Sequence, residues 1–112
     1  MTQRQLTKLT KTWAHRLGIG DWKISVKFMP AEDMEDDQGQ CWYYPEYRRA
    51  DIHILREQDT QEGDDSIEAA VVHELLHIVL EGHRPLEGGK YDAMFERGLN
   101  LIANALIEVN SE

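Results

Sequence analysis

The alternation of apolar and polar positions divides the chain into six elements. Residues 3–17 place Leu6, Leu9, Trp13 and Leu17 at helical spacing, which predicts an amphipathic helix stopped by Gly18 and Gly20. Residues 22–29 alternate strictly. Trp22, Ile24, Val26 and Phe28 point one way and Lys23, Ser25 and Lys27 the other, which predicts a half-buried strand closed by Pro30. Residues 40–44 (QCWYY) predict a second strand before Pro45, and residues 50–56 a third. In the third, Ile52 and Ile54 share a face and Asp51, His53 and Leu55 lie opposite. The short links predict antiparallel pairing. Residues 31–39 are acidic and turn-rich and read as a solvated loop; they lack the ordered oxygen spacing of a calcium-binding EF-hand.

In the second half, DDSIE opens a helix, with Asp65 as the cap and Glu68 as its capping-box partner. The helix runs through AAVVHELLHIVLE and ends at Gly82. Residues 83–90 form a loop. The last helix spans 91–109, with Phe95, Leu99, Ile102, Leu106 and Val109 as its core stripe. The order is helix, three strands, two helices, an α+β domain covering residues 1–112 with a short antiparallel three-stranded sheet.

Charge narrows the partners. The formal net charge is -9, from 21 acidic and 12 basic residues, and Arg48-Arg49 is the only adjacent basic pair. A nucleic-acid binder needs a basic footprint, so nucleic acid is not expected as a partner; the acidity reads as solubility. No apolar run is long enough to span a membrane, and MTQRQLTKLTKTWAHR lacks the continuous apolar stretch of a signal peptide. The expectation is a cytoplasmic protein, monomeric or weakly oligomeric, without a membrane partner. Cys41 is the single cysteine, so no intramolecular disulfide forms. It reads as a structural thiol in an aromatic strand, with a Cys41–His53 pair as the reactive alternative.

The segment HELLH, residues 73–77, carries the chemistry. Four helical steps turn through about 400°, so His73 and His77 present two imidazoles one turn apart on one face. Two such nitrogens suit zinc, which keeps a position open for water in catalytic sites. Glu74, next to the first histidine, is placed to take a proton from a water that the metal acidifies. Two histidines and a glutamate within AAVV…IVL are costly on a buried helix unless something satisfies them.

A third ligand is required. His83 lies ten residues after His73, giving HELLHIVLEGH, the ligand spacing of the metzincin pattern HExxHxxGxxH; the glycine of that pattern is Leu80 here. Glu96, on the last helix, is the other main candidate. Asn100 lies one turn beyond it on the same side, where an amide can orient a ligand histidine or the carboxylate. Asp92 and Glu87 are further acids within reach of the pattern.

VVHELLHIVL and ERGLNLIANAL resemble the small zincin-like, gluzincin-type metallopeptidase domains, including minimal ones encoded by phages and prophages. More distantly they are similar to the ImmA/IrrE-type peptidases, in which HExxH is followed by a helix bearing E-x-x-A-N. The run here is Glu96-Arg97-Gly98-Leu99-Asn100, with Leu in place of Ala. The resemblance covers residues 50–106. It implies a zinc ion held by His73, His77 and Glu96, with Glu74 as general base. It also implies a minimal zincin-like fold whose edge strand, residues 50–56, lines the cleft and binds a peptide or protein substrate as an added strand. His53, His83, Tyr43, Tyr44 and Tyr47 are the candidates for stabilising an oxyanion. The expected function is zinc-dependent peptide-bond hydrolysis; the alternative is a non-catalytic regulatory or binding module on the same zinc-binding scaffold.

Overall fold

The structure is a computed structural model and describes residues 1–35, 37–56, 66–80 and 90–111. Helix α1 spans Gln3–Arg16. Its start is closed by a capping box: Thr2 Oγ1 accepts from the Gln5 amide at 3.1 Å, and Gln5 Oε1 accepts from the Thr2 amide at 2.7 Å. It ends where Gly18 takes φ +82, a left-handed conformation that costs glycine little. Leu6 and Trp13 are almost wholly buried, and Leu9 and Leu17 pack at the margin of the core, as the spacing predicts.

Strands β1 (Lys23–Met29), β2 (Gly39–Tyr44) and β3 (Arg49–Leu55) form one sheet in the order β1-β3-β2. β2 pairs antiparallel with β3, through a turn in which Arg48 is left-handed at φ 49. β1 pairs with β3 in parallel, Val26 opposite Ile52, so the sheet is mixed. The expected all-antiparallel sheet assumed that consecutive strands are neighbours. The segment between β1 and β2 instead crosses the end of β3, where Gln38 O accepts from the Leu55 amide at 2.9 Å. Two strand spacings amount to about 10 Å, well within the reach of that segment. β3 is therefore the central strand, and β2, not residues 50–56, is the edge on that side.

Ala50, Ile52 and Ile54 of β3 are fully buried on the helical side. The other face of the sheet carries Trp42 and Tyr44, 45% and 42% exposed. The acidic segment is not uniformly solvated. It contains a short 3-10 turn, Ala31–Asp33, followed by Met34, which is fully buried.

Helix α2 spans Ile67–Val79 and is buried on nearly every side, as an almost wholly apolar helix must be. Its cap is Ser66, whose Oγ accepts from the Ala69 amide at 3.0 Å. Asp65, expected in that place, lies outside the described residues. Glu68 makes no capping box; its carboxylate accepts from Trp13 Nε1 at 2.8 Å and ties α2 to α1. Leu80 is the C-cap, and Gly82, the expected stop, lies outside the described residues.

Helix α3 spans Lys90–Asn110 and packs against α2. Leu99 and Ala103 are buried, with Phe95, Leu106 and Ile107 at the margin. Ile102 and Val109, expected in the stripe, are 43% and 66% exposed. At about 100° per residue, Ala103 and Glu96 sit about 40° and 60° to one side of Leu99, and Ile102 about 60° to the other. The helix is turned toward its Glu96 side. Among the described residues no helix is long and apolar enough to cross a membrane.

Candidate metal centre

α2 and α3 together build a polar cluster at the bottom of a cavity of about 580 Å³, walled on its far side by the edge strand β2. His73 and His77 lie one turn apart on α2, with ring centroids 5.0 Å apart and planes at 67°. The His77 ring also rests near Phe95 of α3, at 6.1 Å.

Glu96 enters from α3. Its Oε2 stands 3.3 Å from His73 Nε2 and 3.2 Å from His77 Nε2. That oxygen is buried and has no hydrogen-bond partner among the described residues, so the short distances bring charge together without a directed N–H. Asn100, one turn further along α3, fixes the tautomer of His73. The amide oxygen Oδ1 can only accept, so His73 Nδ1–H donates to it at 2.6 Å and Nε2 keeps its lone pair. Ligand atoms on a tetrahedral zinc with bonds of about 2.0–2.1 Å are about 3.3 Å apart. The separations from Glu96 to the two ring nitrogens match that spacing.

Glu74 belongs to the same group. His73, Glu74 and His77 can each offer a ligand atom within 4.8 Å of the others. Yet Glu74 Oε2 is 4.0 Å from His73 Nε2, further than Glu96 Oε2 is from either ring. Of the two carboxylates the distances favour Glu96 as the third donor and leave Glu74 beside the position a metal would take. His83 and Glu87 lie outside the described residues, as does the side chain of Asp92.

The electrostatics separate the two carboxylates. Burial pushes the Glu96 carboxyl up, but the adjoining nitrogens and charges of His73 and His77 outweigh it and hold it well below the usual carboxylate range. Glu74 is 6% exposed; burial raises it most, Glu96 and Asp37 add to the rise, and His73 and His77 oppose it. Burial lowers His73, but Glu96, Glu74 and Asn100 together carry it above its ordinary value. The cluster thus contains one carboxylate that stays ionised and one with raised proton affinity.

Gly39, the first residue of β2, was not singled out by the sequence pattern. A Cβ there would lie 2.9 Å from Glu74 Oε2 and 3.0 Å from its Cγ. The bare backbone of β2 is therefore what gives the Glu74 side chain its room. In the string DQGQC the glycine reads as one more turn residue, and only the strand's position over α2 reveals its part.

Among the oxyanion candidates, Tyr43 lines the cavity. Tyr44 and His53 lie on the opposite face of the sheet, since they alternate with Tyr43 and with Ile52 and Ile54. Tyr47 is 74% exposed on the turn after β2. His83 again lies outside the described residues. The Cys41–His53 pair does not form: Cys41 is opposite Ile52 on the helical face, and the His53 ring packs edge-on against Trp42 at 4.8 Å. The Cys41 thiol is pushed up to about 12 by burial and then by the charges of Glu74 and Asp51, the reverse of an activated nucleophile.

No family model, no curated protein and no solved structure matches this chain.

Proposed function

We propose that this chain is a zinc-dependent metallopeptidase-like protein on a minimal zincin-like scaffold, hydrolysing peptide bonds with Glu74 as general base. The observation that carries the reading is the convergence of His73 Nε2, His77 Nε2 and the unpartnered Glu96 Oε2 on one point, at separations of 3.2 and 3.3 Å from the carboxylate. Uncompensated, a buried carboxylate oxygen without a hydrogen bond is costly. A cation among the three atoms removes that cost, so the residues present fit a divalent metal.

His73, His77 and Glu96 would hold the ion, and Asn100 keeps His73 in the tautomer that offers Nε2. When bound, zinc supplies a Lewis acid that polarises a carbonyl and acidifies water. Glu74 accepts the proton released by the attacking water at its carboxylate and passes it to the departing amine nitrogen. Its burial and raised proton affinity suit both halves of that transfer. Tyr43, which lines the cavity, would be the phenol that donates to the oxygen on which negative charge develops.

β2 supplies the substrate surface. Its inner edge pairs with β3 and its outer edge borders the cavity, so an extended peptide can add to it through main-chain hydrogen bonds. This takes over the role that the sequence assigned to residues 50–56. The test is a peptide-digestion assay on zinc-loaded wild type and Glu74→Gln. Cleavage by wild type alone supports hydrolysis, and equal product from both proteins refutes Glu74 as the base.

A further inference from the structure

We propose that the cleft selects polypeptide segments bearing lysine or arginine beside the bond presented to Glu74, and that Asp37 is the residue that reads this charge. The inference rests on the metallopeptidase reading of the same cavity and names its substrate class.

Among the described residues lining the cavity, the carboxylates are Asp37, Glu74 and Glu96, and none of the lining residues is lysine or arginine. A divalent ion would be balanced by Glu96 and Glu74 alone. Asp37 then leaves an uncompensated negative charge at the mouth. It is exposed, and it precedes Gly39, so it stands at the end of the edge strand along which an added peptide would lie.

Asp37 is positioned rather than loose. Gln40 Nε2 donates to its Oδ2 and to Met34 O, both at 3.2 Å, while the Asp37 amide donates to Met34 O at 2.9 Å. Glu32, Asp33 and Glu35, all exposed, extend the negative surface along the same segment. Inside the cavity the Glu74 carboxylate is more than nine-tenths buried, and Glu96 Oε2 is buried without a hydrogen-bond partner among the described residues, so carboxylate oxygens stand at the base of the pocket as well as at its mouth.

A cleft of one sign, on a chain of net charge -9, focuses its field on incoming cations and repels anions. Steering of this kind changes association by about 10–1,000-fold and weakens with salt.

The decisive experiment measures binding without turnover. Zinc-loaded Glu74→Asp, which keeps the charge at that position but draws the carboxylate back from the attacking water, is titrated with fluorescent peptides of equal length, rich in lysine and arginine, in glutamine and serine, or in glutamate. The basic peptide is expected to bind about tenfold or more tightly than the neutral one at low salt, with the gap narrowing as salt rises. Adding Asp37→Asn should remove most of that gap. Adding Glu108→Gln, which deletes an equal charge on exposed α3 surface far along the helix, should leave it intact. Equal affinity for basic and neutral peptides overturns the inference, and so does an equal loss in the two charge variants. Wild-type digestion of the same peptides separates the two readings. Basic peptides bound but never cleaved retire hydrolysis and leave charge selection standing, whereas cleavage indifferent to charge retires charge selection alone.

Discussion

Gly39 and Glu74 meet backbone to side chain: the missing Cβ of the glycine would sit 2.9 Å from the glutamate's Oε2 and 3.2 Å from its carboxyl carbon. Both heavy atoms cannot share that space, so Gly39→Ala must move Glu74 or bend β2. Displacing a proton-transfer group by about 1 Å costs on the order of 100-fold in rate. Gly39→Ala is therefore expected to lower kcat by about 10–100-fold, with zinc affinity changed only a few-fold because no ligand is touched. Steady-state kinetics on a cleaved peptide, paired with zinc titration, check both halves.

Asn100 would act on a bound metal through His73, whose Nδ1–H donates to its Oδ1 at 2.6 Å. Asn100→Ala leaves His73 Nδ1–H without its acceptor and frees the ring to turn. Loss of such an orienting partner typically costs about 10–100-fold in metal affinity. Competition with a calibrated zinc chelator measures it. Asn100→Asp, which keeps an acceptor oxygen, is expected to recover most of the loss.

Zinc binding should weaken as pH falls, and earlier than unperturbed histidines would dictate. Glu96, Glu74 and Asn100 raise His73 above its ordinary 6.5, against the opposing effect of burial. Below that raised value the apo site holds a proton on His73 that the metal must displace. Affinity then drops by about tenfold per pH unit for each displaced proton. Calorimetric zinc titrations across the neutral to mildly acidic range should show this slope beginning above pH 6.5. Glu96→Gln removes much of the support for the His73 proton, so any residual binding should show its slope beginning lower.

The tie between the first two helices can be tested without touching the site. Trp13→Phe preserves most of the buried ring but removes the Nε1–H that donates to Glu68 at 2.8 Å. A hydrogen bond to a charged acceptor contributes about 1.5–3 kcal/mol, so denaturant unfolding should show a loss of that order at an unchanged m-value. Ile52→Ala, at the fully buried centre of β3, is expected to cost about 2–5 kcal/mol.

The local elements were legible because each has its own period. The alternation from Trp22 to Phe28 and the stripe of Leu6, Leu9 and Trp13 mark β1 and α1 without tertiary information. The pair His73 and His77 was legible for the same reason, since the helix alone brings them to one face. What the sequence did not carry was register and rotation. Nothing in residues 22–56 says that the link from Met29 to Gly39 passes the end of β3, so parallel pairing was invisible. Ile102 and Val109 are as apolar as Ala103 and Ile107, and only the packing of α3 against α2 decides which pair turns inward. That same rotation brings Glu96 over the two histidines. Gly39 was hidden for a related reason: its significance lies in its distance to a residue thirty-five positions away.

The most direct measurement is zinc stoichiometry and affinity in wild type, Glu96→Ala, His83→Ala and Glu74→Gln, by elemental analysis and chelator competition. Wild type, His83→Ala and Glu74→Gln should each bind one equivalent, and Glu96→Ala should bind at least about 100-fold more weakly, having lost a ligand rather than an orienting partner. A wild-type protein that takes up no zinc contradicts the account outright, and loss of zinc in His83→Ala with retention in Glu96→Ala contradicts the assignment of the third ligand.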